Sequence, residues 1–241
     1  MLSWRRMETP GGRGIVFWDF HGTLGFREGD WSGALSAILK RDGSYCFPKE
    51  AISAQLRRGF PWHTPEIPHA RLFRGLSWWD YVNSVVEAAL LALGVDQRKA
   101  SELAVQTRGE YLDIVHWGLY PDVLDTLSIV LTAGYRNYVL SNHVPELSQI
   151  VHGLGLGTVI QEVLTSGALG YEKPHPRIFE MAREAAGDGG PYYMVGDSLD
   201  ADARAGDACG FRGILVRSAN TSGFARYSGD LPGVLPLLTQ E

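Results

Sequence analysis

The chain is poor in cysteine, has no basic excess and contains no long apolar run. Cys46 and Cys209 are its two cysteines in 241 residues. They are free to pair, but so few make no disulfide framework and suit a reducing cytosol. Lys and Arg number 22 against 27 Asp and Glu, a formal net charge of −5. That balance argues against a broad nucleic-acid surface. The longest apolar-looking stretch, Val85 to Val95, is interrupted by Glu87 and is too short to span a bilayer. Residues 1–12 lack the apolar segment of a signal peptide, so the Arg5-Arg6 pair is not an export signal by itself. The histidines form no His-x-x-x-His or Cys/His zinc pattern. These absences point to a cytoplasmic protein with neither a membrane nor a nucleic-acid partner.

Hydrophobic residues make up 45% and charged residues 20%, enough apolar surface for a sizeable core. Short continuous apolar runs mark strands buried on both faces. Gly14-Ile15-Val16-Phe17-Trp18 ends at Asp19, Tyr135 to Leu140 ends at Ser141-Asn142, and Tyr192 to Val195 ends at Gly196-Asp197; Gly213 to Val216 is a fourth. Helical patterns lie between them. Pro121 suits a first turn, with Leu124, Leu127 and Leu131 on one face and Gly134 as the stop. Leu147, Ile150, Val151 and Leu154 share that spacing, and Pro176–Ala186 and Asp200–Ala208 also read as helices. Alternation of strands and helices implies an α/β domain with a mostly parallel sheet.

From about Phe26 to Trp117 the pattern changes and shows no convincing strand. Trp31 to Lys40 reads as helix. Ser77 with Asp80 makes a capping box before the stripe Val82, Val85, Val86, Ala89 and Leu93, and Asp96 to Val115 continues helically. The Pro/His-rich segment Phe60 to His69 reads as a loop. One α/β domain is therefore interrupted by a helical insert, without internal repeats.

In open parallel sheets, ligands bind beyond the carboxyl ends of the strands. Asp19, Ser141 with Asn142, Lys173, and Asp197 with Asp200 and Asp202 fall there or shortly after. Each alone is an ordinary turn former, cap or solvated group. Together they form a chemical set: a carboxylate that can attack, donors for phosphoryl oxygens, a lysine to offset charge, and carboxylates for a hard cation.

These residues resemble the motifs of the haloacid dehalogenase superfamily, most of whose members are phosphatases. Asp19-Phe20-His21-Gly22-Thr23-Leu24 is similar to its first motif, Leu140-Ser141-Asn142 to its second, Tyr171-Glu172-Lys173-Pro174 to its third, and Val195-Gly196-Asp197-Ser198-Leu199-Asp200-Ala201-Asp202 to its fourth. The resemblance implies a Rossmann-like core at 1–25 and 118–241, with an α-helical cap at 26–117. It also implies Mg²⁺-dependent hydrolysis of a small phosphorylated metabolite through an aspartyl-phosphate on Asp19. Ser141, with Asn142 close by, would bind the phosphoryl group, and Lys173 would neutralise charge. Thr23 would orient the loop and border the substrate. Mg²⁺ would be held by Asp19, the backbone carbonyl of His21 and Asp197, with Asp202 as ligand or outer partner. Such a division of labour suits phosphoryl transfer, which depends on positioning and charge neutralisation.

Position 21 departs from the family pattern, which places an acid/base Asp there. Three readings follow. His21 is itself the proton-transfer group, since imidazole titrates near ~6.5; or the protein binds Mg²⁺ and phosphate but turns over slowly, as a regulatory protein would; or its substrate has a leaving group that needs no acid. Dehalogenase chemistry needs no Mg²⁺, which Asp197 and Asp202 weigh against. Phosphonate cleavage needs a cap lysine, for which Lys40, Lys49 and Lys99 are the candidates. His143 and Arg27 lie close enough to the motifs to meet a substrate, although packing and solvation are their ordinary fates. Substrate identity and oligomeric state are not legible in these patterns.

Overall fold

The structure is a computed structural model that describes residues 12–221 and 223–239. The reading of the first residues as free of a signal peptide lies outside them. The central sheet has six parallel strands in the order β5-β4-β1-β6-β7-β8. These are β1 Gly14–Trp18, β4 Tyr135–Ser141, β5 Glu162–Thr165, β6 Tyr192–Gly196, β7 Arg212–Val216 and β8 Tyr227–Ser228. A separate antiparallel ribbon pairs β2 Gly25–Arg27 with β3 Trp117–Leu119. The fold is α/β and Rossmann-like, with helices packed around a mostly parallel sheet.

Central β1 is buried along its whole length, as its unbroken apolar run requires. Its one polar side-chain atom at depth, Trp18 Nε1, donates to Asn137 Oδ1 on β4 at 3.0 Å. Asn137 in turn donates to the carbonyls of Leu127 and Val159. A buried polar group without such partners would cost ~1–3 kcal/mol, so this cluster fixes how the neighbouring segments seat on the sheet.

Between the two ribbon strands the chain is helical. Helix Asp30–Asp42 buries Trp31, Ala34, Leu35, Ile38 and Leu39, and helix Trp78–Ala92 buries Trp78, Val82, Val86, Ala89 and Leu90. Ser77 caps the latter by accepting from the Asp80 amide. Trp31 stacks on Tyr111 with ring centroids 3.9 Å apart, joining the first and last helices of this segment.

Several elements differ from the sequence reading. The ribbon strands sit at the two ends of a segment in which no strand is expected; three residues are too few to show a period. The continuous helix expected over Asp96–Val115 is broken into Gln97–Ala104, Thr107–Leu112 and a short 3₁₀ turn Ile114–His116. The Phe60–His69 segment contains a 3₁₀ turn at Pro61–His63. Helix Val123–Thr132 buries Val123, Thr126, Leu127 and Val130, while Leu124 and Leu131 are exposed. The buried set keeps i, i+3, i+4, i+7 spacing, and the leucine pattern follows it only at Leu127. Strand β5 is short, begins at exposed Glu162, and is absent from the reading for that reason. Cys46 and Cys209 are both free.

Candidate active site

Asp19 follows β1 directly, and its amide donates to the Val195 carbonyl on β6 at 2.8 Å. The next residues turn sharply: the Leu24 and Gly25 amides both donate to the Phe20 carbonyl, and the Gly22 amide donates to the Gly25 carbonyl. Gly22 has φ +89°, and a Cβ there would sit 2.5 Å from Asp197 Oδ2. Glycine is therefore required both by the backbone and by the approach of the fourth motif. Gly196 is similar: a Cβ there would collide with the Asp202 carboxylate.

Three segments converge on Asp19: the end of β4, the loop that carries Lys173, and the stretch after β6. Ser141 Oγ and Lys173 Nζ each donate to Asp19 Oδ1 at 2.8 Å. Lys173 also donates to Asp202 Oδ1 at 2.5 Å and to the Leu140 carbonyl at 2.9 Å. The Asp202 side chain accepts from the Ser198 amide at 3.0 Å. Asn142 lines the same cavity, but its side chain bonds the Lys173 backbone at both ends, 2.8 and 2.6 Å. The side chain holds the lysine segment at the cavity. Thr23 is fully buried, does not border the cavity, and donates to Asp197 Oδ1 at 3.3 Å. Thr23 thus helps to hold the Asp197 carboxylate in place.

Three carboxylates face one ammonium here. One oxygen each from Asp19, Asp197 and Asp202 lies within 4.8 Å of the others. Burial and repulsion from Asp19 push Asp197 up to about 6, against the pull of Lys173. Burial likewise drives Asp202 upward, with Lys173 opposing and Asp19 adding. Burial works against the charge of Lys173, but Asp19 and Asp202 outweigh it and hold the ammonium above the ordinary lysine range. A cluster short of positive charge and offering only carboxylate oxygens fits a hard divalent cation.

The helical segment supplies the other wall of one cavity of about 520 Å³. Asp30, Trp31, Trp62 and Tyr111 line it opposite Asp19, Ser141 and Lys173. His21 also lines it, with its ring edge-on to Trp117 at 5.8 Å. His143 is buried against Phe20, Tyr111 and Trp117, with neither ring nitrogen hydrogen-bonded. Burial, reinforced by His21, pushes its imidazole well below the ordinary histidine range, so it is a neutral packing group at the cavity edge. Burial also raises Asp30; His21, the Trp31 amide, Arg27 and the Tyr111 hydroxyl oppose the rise. Arg27 is neither solvated nor in the cavity. It is buried and paired with Glu110 at 3.2 Å, and donates to the Asp30 carbonyl at 3.1 Å. Asp30, Trp31, Trp62 and Tyr111 are absent from the sequence reading of the site. Asp30 and Trp31 open one helix, Trp62 lies in a 3₁₀ turn and Tyr111 in another helix, and no spacing rule links these elements.

A hydrolase family model described as haloacid dehalogenase-like hydrolase matches residues 14–210. The chain belongs to the haloacid dehalogenase-like hydrolases. It is 29% identical over 206 residues to human haloacid dehalogenase-like hydrolase domain-containing protein 3, covering 84% of this chain and 81% of that one. It is 33% identical over 134 residues to a phosphoserine phosphatase of Thermus thermophilus, covering 55% and 53%. In fold it resembles the magnesium-bound HAD-hydrolase YfnB of Bacillus subtilis, with TM-score 0.72 and 18% identity over 95% of this chain and 100% of that one. No helix among the described residues is long and apolar enough to cross a membrane.

Proposed function

We propose that the protein is a Mg²⁺-dependent phosphatase that hydrolyses a small phosphate monoester through Asp19. Its core would comprise 1–25 and 118–241, its cap 26–117, and its setting would be the cytoplasm. The observation that carries this reading is the convergence of Ser141, Lys173, Asp197 and Asp202 on one carboxylate. Asp19, the His21 carbonyl and Asp197 would hold Mg²⁺, with Asp202 beside them. The ion would supply positive charge against the transferring phosphoryl oxygens.

The chain's own residues account for the remaining steps. A carboxylate oxygen of Asp19 attacks phosphorus, and the bond to the leaving oxygen breaks. His21 as imidazolium gives its proton to that oxygen. The resulting neutral imidazole then takes a proton from water, whose oxygen attacks the phosphorus of the aspartyl-phosphate. Phosphate leaves, Asp19 is regenerated as carboxylate, and His21 is again protonated. Ser141 orients Asp19 and stands ready to donate to a phosphoryl oxygen, while Lys173 offsets charge throughout.

The phosphonate alternative lacks its lysine: Lys40, Lys49 and Lys99 do not line the cavity, and Lys99 is paired with Asp42 at 2.7 Å. Among phosphate-binding readings, slow turnover is the competitor, because proton transfer at position 21 falls to an imidazole. Release of phosphate from a panel of monoesters, with Mg²⁺ and with chelator, tests the proposal. Turnover that survives chelation removes the metal; no turnover of any ester under either condition removes the phosphatase reading.

A further inference from the structure

The cavity's charge is one-sided. Asp19, Asp30, Asp197, Asp200 and Asp202 line it, while Lys173 is its one lysine and no arginine borders it among the described residues. Lys173 is already engaged by Asp19 and Asp202. Asp200 is exposed and answered by Arg204 at 2.9 Å. Asp30 lies on the wall supplied by the helical segment; the Tyr111 hydroxyl bonds its carboxyl, and its Oδ1 is buried and unpartnered. The nearby Arg27 does not line the cavity and is tied to Glu110.

The rest of that wall is aromatic. Trp31 packs on Tyr111 at 3.9 Å and on Trp62 at 5.8 Å, and all three line the cavity. Aromatic rings attract cations through their negative faces, and do so most where water is excluded. A carboxylate with one buried, unpartnered oxygen beside such rings makes a site for positive charge. A leaving group with a second anion would meet the Asp30 carboxylate on this wall, with no lysine or arginine beside it.

We propose that Asp30, Trp31, Trp62 and Tyr111 bind an ammonium group on the leaving alcohol, so that the favoured substrates are phosphate monoesters of amino alcohols. This rests on the phosphatase reading above. The ammonium satisfies Asp30 and offsets the excess of carboxylates, while the ester phosphate sits at Asp19, Ser141 and Lys173.

The test compares each charged ester with an uncharged partner of the same shape: phosphoethanolamine with propyl phosphate, and phosphocholine with neohexyl phosphate. Phosphoglycolate serves as the anionic control. In at least one pair the charged ester should be favoured about tenfold or more in kcat/KM, mainly through KM, and phosphoglycolate should be the poorest. Asp30→Asn should bring that ratio to within about twofold, and Trp62→Leu should lower it several-fold. Asp30 has φ +48°, a conformation asparagine also tolerates, and a thermal melt checks that the variant is folded. Ratios within about twofold in the unaltered protein, or a preference that survives Asp30→Asn, overturn the inference and leave phosphatase activity standing.

If no ester is hydrolysed, the phosphatase reading fails and binding decides separately. Calorimetric titration with phosphocholine and neohexyl phosphate in Mg²⁺ should then give tighter binding of the charged ester, lost in Asp30→Asn. Equal affinities, or no binding of either, overturn the cation site.

Discussion

Replacing Asp197 by asparagine should stabilise the metal-free protein while disabling it. Burial and the Asp19 charge raise Asp197 from its ordinary 3.8 to about 6. Over that interval the folded state binds more protons than the unfolded chain, so stability falls as pH rises through it. Above pH 6 the accumulated penalty is ~3 kcal/mol, at 1.36 kcal/mol per tenfold change. An asparagine in its place would carry no charge to desolvate, and its amide oxygen can still accept from Thr23. In chelator at pH 7.5, Asp197→Asn should therefore melt higher, by ~5–10 °C for a chain of this size. At pH 4 the gap should shrink below ~1 kcal/mol, because the carboxyl is then protonated when folded and about half protonated when unfolded. Adding Mg²⁺ should raise the midpoint of the unaltered protein at pH 7.5, since ligand that binds only the folded state stabilises it. The variant should gain much less. Calorimetric melts at the two pH values, with chelator and with Mg²⁺, read all four quantities. A variant that melts at or below the unaltered protein in chelator at pH 7.5 would refute the claim that these carboxylates repel one another at a cost.

Asp19→Asn should abolish phosphate release while preserving the melt, because the amide is nearly isosteric but a poor nucleophile; activity within tenfold of the unaltered protein would remove Asp19 from its role. His21→Ala should slow alkyl phosphate hydrolysis by on the order of 10²–10⁴-fold and an activated nitrophenyl ester less in its first step. Equal rates on an alkyl phosphate, with chemistry limiting, would leave His21 as packing only. Glu110→Gln should destabilise by about 3 kcal/mol, since it strands the buried Arg27 guanidinium; an unchanged urea midpoint would show that Arg27 finds another partner.

The parts of this fold legible in the sequence are those where burial imposes a simple pattern. Strands β1, β4, β6 and β7 lie in the middle of the sheet, so nearly every residue must be apolar and the runs stand out. Edge strand β5 and the three-residue ribbon strands face fewer neighbours and impose no such run. Helix Val123–Thr132 shows the limit of counting leucines, for Leu124 and Leu131 point away from the sheet while Thr126 is buried. In the site, Asp19, Ser141 and Asp197 are legible because each closes or directly follows a strand. Lys173, between helices Ser166–Leu169 and Pro176–Ala186, and Asp202, inside helix Leu199–Arg204, are legible only through the motifs that hold them. Asp30, Trp31, Trp62 and Tyr111 reach the cavity only through the packing of one aromatic cluster, and nothing local marks them.

The substitution at position 21 and the carboxylate at position 30 belong to one electrostatic arrangement. Position 21 is expected to serve the metal through its backbone carbonyl, so exchanging its side chain leaves the carboxylate cluster intact. An aspartate there would place another negative charge in a cavity already bordered by five. His21 does the opposite, since its positive form opposes the upward shift that burial imposes on Asp30. His21→Asp should thus have two separable effects. It should raise turnover of an uncharged alkyl phosphate if slow proton transfer limits the unaltered protein. It should also drive Asp30 toward its protonated form, because a favourable neighbour has become a repelling one. A protonated Asp30 holds an ammonium less well, so the preference for a charged ester over its uncharged partner should fall as overall turnover rises. Turnover and preference rising together in His21→Asp would show that positions 21 and 30 do not share a field. Their opposite movement would tie proton transfer to recognition of the leaving group through the same cavity wall.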